Sequence, residues 1–131
     1  MKRTIHTVAP VGTHIIIDLY GCSPSLLNQP EKVKEILLEA AKISNATILH
    51  TKFHKFSTNG ISGVILISES HLSIHTWPEC NYASIDIYTC GTKTFPQKAA
   101  EYIIEKFQSE KPTIMKIERG VYAEKFKTGG G

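Results

Sequence analysis

Between Ser68 and Glu79 the chain reads Ser-Glu-Ser-His-Leu-Ser-Ile-His-Thr-Trp-Pro-Glu, setting hydroxyls, imidazoles and carboxylates among apolar residues. Groups of these types can attack a carbonyl, move protons and accept hydrogen bonds. On pattern alone the run reads equally as a half-exposed strand with its polar residues outward. Two histidine pairs, His50/His54 and His71/His75, have the spacing of zinc ligands on a helix. On a strand, residues four apart stand about 13 Å from each other, whereas zinc donors all lie within about 2.3 Å of one ion. Cys80 and Cys90 lack a CxxC partner, and no metal site is expected. The three cysteines, Cys22, Cys80 and Cys90, cannot all pair internally, which fits a reducing cytoplasm and leaves a thiol free for chemistry. The chain has no GxGxxG, Walker or GxSxG motif, so nucleotide-dependent redox, phosphate-loop and α/β-hydrolase readings have no starting point.

The residues around this run have the make-up of one globular domain, 1–131, with 15 Lys+Arg, 12 Asp+Glu and 41% hydrophobic residues. The net charge of +3 is spread out, with no Lys/Arg run longer than Lys2-Arg3, so no nucleic-acid partner is expected. His6, Pro10, Gly12, His14 and Asp18 interrupt any apolar stretch after Lys2-Arg3, which argues against an export signal. No apolar stretch approaches the roughly 18 residues of a membrane span. The expected location is the cytoplasm. Gly129-Gly130-Gly131 reads as a flexible tail.

Elements that would position the polar run can be read from periodicity. His14–Tyr20 is β-branched and ends at Gly21, a strand. Asn28-Gln29 before Pro30 opens a helix whose apolar face is Val33, Ile36, Leu37, Ala40 and Ala41, ending near Asn45. Four strands follow: Thr47–Phe56, Ile61–Ser68, His71–Trp77 and Tyr82–Cys90. Asn59-Gly60 predicts a type I′ turn between the first two, and Pro78–Asn81 a turn between the last two. Thr94 is expected to cap a second helix with Pro96 in its first turn and Ala99, Ala100, Ile103, Ile104 and Phe107 on its apolar face. Thr113–Arg119, after Pro112, is a last strand. The order βαββββαβ implies an α+β fold: a two-layer sandwich of an antiparallel sheet with two helices on one face. Because Ile61–Ser68 is apolar at almost every position, it is expected to be buried on both sides, which puts the sheet's second face at or near a dimer interface.

The Ser68–Glu79 run does not stand alone. It is preceded by Phe53-His54-Lys55-Phe56 and Gly60-Ile61-Ser62-Gly63-Val64, and followed by Tyr82–Gly91, with Gly12-Thr13-His14 and Asp18–Cys22 near the start and Glu118-Arg119-Gly120 near the end. This ordered set resembles the short prokaryotic S-adenosylmethionine decarboxylase proenzymes, over most of the chain.

The resemblance implies a pyruvoyl-dependent carboxy-lyase that makes its own cofactor. Cleavage between Glu69 and Ser70 would give a 1–69 beta chain and a 70–131 alpha chain, with a pyruvoyl group generated from Ser70. That group would form a Schiff base with S-adenosylmethionine, and the product would be S-adenosyl 3-(methylsulfanyl)propylamine for spermidine synthesis. The residues suit the chemistry: loss of carbon dioxide needs an electron sink, and a pyruvoyl carbonyl serves as pyridoxal phosphate does elsewhere. Ser70 Oγ would attack the Glu69 carbonyl, and the ester would then eliminate. The resemblance assigns His75 as proton acceptor in processing, and Ser62 would support the oxyanion. It assigns Cys90 as proton donor in catalysis. Phe56 would stack on adenine, Trp77 would wall the pocket and Glu79 would bind the ribose. For Ser62 and Cys90 a plain packing role is the alternative, and for Phe56, Trp77 and Glu79 ordinary packing or a solvated turn.

Two positions depart from the family pattern: Cys80, commonly aromatic, and Thr92, commonly acidic. Relatives of this fold also resemble pyruvoyl-dependent arginine or ornithine decarboxylases with the same Ser-His-Cys set, so the reaction type is better marked than the substrate. A reading of another class is a non-catalytic dimeric relative. Ser70 and His75 are five residues apart, so a continuous strand sends them to opposite faces about 16 Å apart. A homodimer of cleaved protomers would solve this, Ser70 and Cys90 of one meeting Ser62 and His75 of the other.

Overall fold

A computed structural model describes residues 11–128. The Lys2–Pro10 stretch of the export argument and the Gly129–Gly131 tail lie outside the described residues. β1 (Gly12–Tyr20) is followed by a short α1 (Pro24–Leu27), α2 (Pro30–Ile43), β2 (Ile48–Lys55), β3 (Ile61–Ile67), β4 (Ser70–Trp77), β5 (Tyr82–Cys90), α3 (Pro96–Phe107) and β6 (Lys111–Arg119). The strands form one antiparallel sheet in the order β2-β3-β4-β5-β1-β6. Apart from α1, the element order is the expected one.

The core lies between one face of the sheet and the two long helices. Ile15, Ile17 and Leu19 of β1, Ile61, Ile65 and Ile67 of β3, Leu72 and Ile74 of β4, and Ile85 and Ile87 of β5 are buried against Val33, Leu37 and Ala40 of α2 and Ala99, Ile103 and Phe107 of α3. Burial alternates along β3, β4 and β5 and most of β1, because successive side chains of a strand point to opposite faces. The helices leave the other face uncovered. Val64 and Leu66, expected to be buried, are 39% and 49% exposed there in the single chain. β6 is exposed along its whole length at the sheet's edge, a position that tolerates Pro112.

Two local expectations are corrected. The β2–β3 connection is not a two-residue type I′ turn: Gly60 has a φ of +98° but Asn59 is not in the positive-φ region. The strands join through residues 56–60, closed by the Phe56 N–H donating to the Gly60 carbonyl at 2.9 Å. Thr94 does not cap α3. The cap position is Phe95, without a side-chain hydrogen bond, and Thr94 Oγ1 is buried with no partner among the described residues. Pro96 removes the first N–H that a capping hydroxyl would otherwise serve.

Candidate active site

The scissile bond proposed from the sequence sits at the end of the tight β3–β4 hairpin. Ser68 and Glu69 form the turn, Ile67 pairs with Ser70, and Ser70 pairs on its other side with Thr89 of β5. Ser70 has a φ of +146°, a conformation that costs a residue with a Cβ of order 1–3 kcal/mol and persists only where the surroundings impose it. Here they do. The Cys90 N–H at the end of β5 donates to the Glu69 carbonyl at 2.8 Å. The Thr47 N–H donates to Glu69 Oε1 at 3.1 Å. Hydrogen bonds from Ser68 and then Thr47 hold the Glu69 carboxyl below its usual range, so a charged side chain anchors the turn. Ser70 Oγ lies 3.3 Å from His71 Nδ1.

Cys90 thus stands beside Glu69 and Ser70 through sheet register alone. The loop after it is tied down by Asn45, whose Nδ2 donates to the Lys93 carbonyl at 2.9 Å. The other two cysteines are set apart: Cys22 is buried and burial pushes its thiol up, and Cys80 is exposed in a 3₁₀ turn, Pro78–Cys80.

A second group of the expected residues assembles at the other end of β4. Ser62 pairs with His75 across β3 and β4, and Ser62 Oγ is 2.8 Å from His75 Nδ1. The Thr76 hydroxyl fixes this register. It accepts from the Ile61 N–H at 2.9 Å and donates to the Leu27 carbonyl at 2.8 Å, locking the start of β3 against β4 and α1. The Gly60 N–H donates to Asn28 Oδ1, and a Cβ at Gly60 would come within 2.6 Å of the Thr76 carbonyl oxygen. A cavity of about 240 Å³ opens over the pair, lined by Ser62, His75, His54, Lys52 and Ser73.

Of Phe56, Trp77 and Glu79, Trp77 stands beside this second group, its ring 6.2 Å from that of His75. Phe56 is exposed, its ring 4.7 Å from that of His54 and nearly perpendicular to it. One face of Trp77 stacks on Tyr82 at 5.2 Å, which stacks in turn on Tyr20 at 5.1 Å. Glu79 Oε1 accepts from Asn59 Nδ2 at 3.4 Å.

A sequence model described as S-adenosylmethionine decarboxylase matches residues 13–120. The chain belongs to the S-adenosylmethionine decarboxylase family. It is 49% identical over 115 residues to the S-adenosylmethionine decarboxylase proenzyme of Thermodesulfovibrio yellowstonii, covering 88% of this chain and 85% of that one. To the proenzyme of Thermococcus gammatolerans it is 45% identical over 114 residues, covering 87% and 80%. The crystal structure of the adenosylmethionine decarboxylase from Aquifex aeolicus superposes with a TM-score of 0.80 at 37% identity, covering 86% of this chain and 92% of the other. The fold described above is that of this family.

The sequence's site residues therefore fall into two groups within one chain, Glu69, Ser70 and Cys90 at one end of β4 and Ser62 and His75 at the other, with Trp77 beside the second. Two groups near Ser70 are given no site role by sequence reasoning: the His71 imidazole, weighed there only as half of a zinc-like pair, and the Cys90 main-chain N–H. The first could have been noticed by adjacency. The second has no letter in the sequence.

Proposed function

We propose that the chain is an S-adenosylmethionine decarboxylase proenzyme, which cuts itself between Glu69 and Ser70 and then decarboxylates S-adenosylmethionine as a carboxy-lyase of polyamine biosynthesis. The observation that carries this reading is the strained Ser70 with the Glu69 carbonyl held by the Cys90 N–H. A donor aimed at the carbonyl oxygen stabilises the charge that develops when Ser70 Oγ attacks the carbonyl carbon. The C–N bond then breaks, the nitrogen gains a proton and an ester joins Glu69 to Ser70 Oγ. A base next removes the Ser70 Cα proton, the Cβ–O bond breaks and Glu69 leaves as a carboxylate. Water hydrolyses the resulting dehydroalanine, ammonia departs and a pyruvoyl group ends the 70–131 piece.

Ser62 and His75 suit the elimination. With His75 Nδ1–H donating to Ser62 Oγ, the ring keeps a basic Nε2, and the Ser62 hydroxyl proton is free to reach the oxygen that carries charge. His75 is exposed on the open sheet face, but lies about 16 Å from Ser70 along β4. A second copy packed on that face brings its Ser62–His75 pair to this chain's Ser70, which favours a homodimer with two shared sites and accounts for the uncovered Val64 and Leu66.

The residues fit a pyruvoyl group: the serine that would become it lies at an open hairpin end, beside a thiol. When formed, it supplies the carbonyl that draws away the electron pair left by carbon dioxide. The Cys90 thiol then gives a proton to the substrate carbon. Phe56, with one face free, offers a shelf for adenine, Trp77 a wall, and Glu79 a carboxylate for ribose hydroxyls.

Release of labelled carbon dioxide from S-adenosylmethionine, arginine and ornithine, measured side by side on cleaved protein, tests the assignment. S-adenosylmethionine is expected to be by far the fastest. Faster release from arginine or ornithine would overturn the substrate, and a wild-type chain that stays whole would overturn the cofactor.

A further inference from the structure

Attack by Ser70 requires a group to take its hydroxyl proton. His75 of the same chain stands at the far end of β4, about 16 Å along the strand from Ser70. We propose that His71 is the general base of the acyl shift, so that ester formation is completed by groups of one chain while only the elimination draws on Ser62 and His75. This rests on the self-cleavage reading above.

Three observations converge on it. His71 Nδ1, at 3.3 Å, is the imidazole nitrogen within hydrogen-bonding reach of Ser70 Oγ among the described residues. Its ring packs edge-on to that of Tyr88 at 5.9 Å, its cross-strand partner on β5. The carbonyl to be attacked is already held by the Cys90 N–H. Nucleophile, base and oxyanion donor thus meet at the junction of the hairpin turn with β4 and β5.

The step balances. The Oγ–H proton passes to Nδ1 as Oγ bonds to the Glu69 carbon, and the carbonyl π pair moves onto the oxygen facing the Cys90 N–H. On collapse the C–N pair stays with nitrogen, which takes the proton back from Nδ1. The net change is an isomerisation of amide to ester, with no proton gained or lost. An imidazole is suited to both transfers near neutrality.

Hydroxylamine near neutral pH splits esters far faster than amides, and fragment masses tell a cut between Glu69 and Ser70 from its slower one at Asn59-Gly60, so mass spectrometry under denaturing conditions with and without it reads the two steps separately. The wild type is expected to cleave. His75→Ala is expected to remain at full length until hydroxylamine divides it between Glu69 and Ser70. His71→Ala should form ester or cleaved product about 10²–10⁴-fold more slowly, and His71→Ala/His75→Ala should resist hydroxylamine. His71→Gln, which keeps the bulk and polarity of the site, should behave as His71→Ala. Cleavage of His71→Gln at the wild-type rate, or a double variant as hydroxylamine-labile as His75→Ala, would overturn the role of His71. A wild type that neither cleaves nor yields to hydroxylamine would instead overturn the self-cleavage reading beneath it.

Discussion

Cys90 has two roles that a side-chain substitution separates. Its main chain holds the Glu69 carbonyl, and its thiol is the proposed proton donor. Cys90→Ala keeps the N–H, so cleavage should proceed within a few-fold of the wild-type rate while turnover falls about 10²–10⁴-fold. Following fragment masses and carbon dioxide release on one sample checks both halves. Failure of Cys90→Ala to cleave would move the thiol into processing. Tyr82 makes a second residue-level case. Burial, then the hydrogen bond and charge of Asp18, push its phenol up to about 12, with its OH donating to Asp18 Oδ1 at 2.6 Å. The folded chain thus retains a proton that the unfolded chain gives up near 10. Its contribution to stability is whole below pH 10 and is lost as pH rises from about 10 through 12. In an ultraviolet titration one tyrosine should ionise near 12, and Asp18→Asn should bring it forward.

Strands and helices were legible because burial on one face imposes alternation on the strands and an apolar stripe on the helices. What escaped reading depends on backbone angles and on neighbours remote in sequence. Asn59-Gly60 carries the letters of a type I′ turn, yet Asn59 keeps an ordinary φ because the Phe56–Gly60 hydrogen bond closes a longer loop. Thr94 has the chemistry of a cap, but the helix begins one residue later. The site was legible only through family likeness: nothing in the spacing of Ser62 and His75 announces that they are cross-strand partners. Their register can be tested at Gly63, which faces Phe53 across β2. A Cβ there would come within 2.2 Å of the Phe53 ring. Gly63→Ala should destabilise the fold by about 1–3 kcal/mol in urea titration and slow cleavage by shifting the Ser62–His75 pair. Adding Phe53→Leu should recover part of the stability. A neutral Gly63→Ala would show that the two strands accommodate each other more freely than this packing allows.

For the whole molecule, the proposed site joins the two ends of β4 through a second copy. Ser70→Ala and His75→Ala chains, each inert as homodimers, should give a mixed dimer in which one of the two sites has both residues. Its activity should approach half that of the wild type, read as carbon dioxide release from affinity-purified mixed dimer. Absence of activity in a verified mixed dimer would place the site inside one chain. The order β2-β3-β4-β5-β1-β6 has a separate effect once the hairpin between β3 and β4 is severed. The 1–69 piece then holds β1, β2 and β3 and the other holds β4, β5 and β6, with β1 clasped between β5 and β6. Neither piece can leave without tearing three strand pairings, β3–β4, β1–β5 and β1–β6, so the cut molecule stays together although no peptide bond joins its halves. Its return from denaturation is another matter. The uncut chain refolds as a single body, but the cut one must find its missing half by diffusion, so recovery becomes bimolecular and fails on dilution. The proposed cleavage would thus leave the molecule with a memory of folding that it can lose only once.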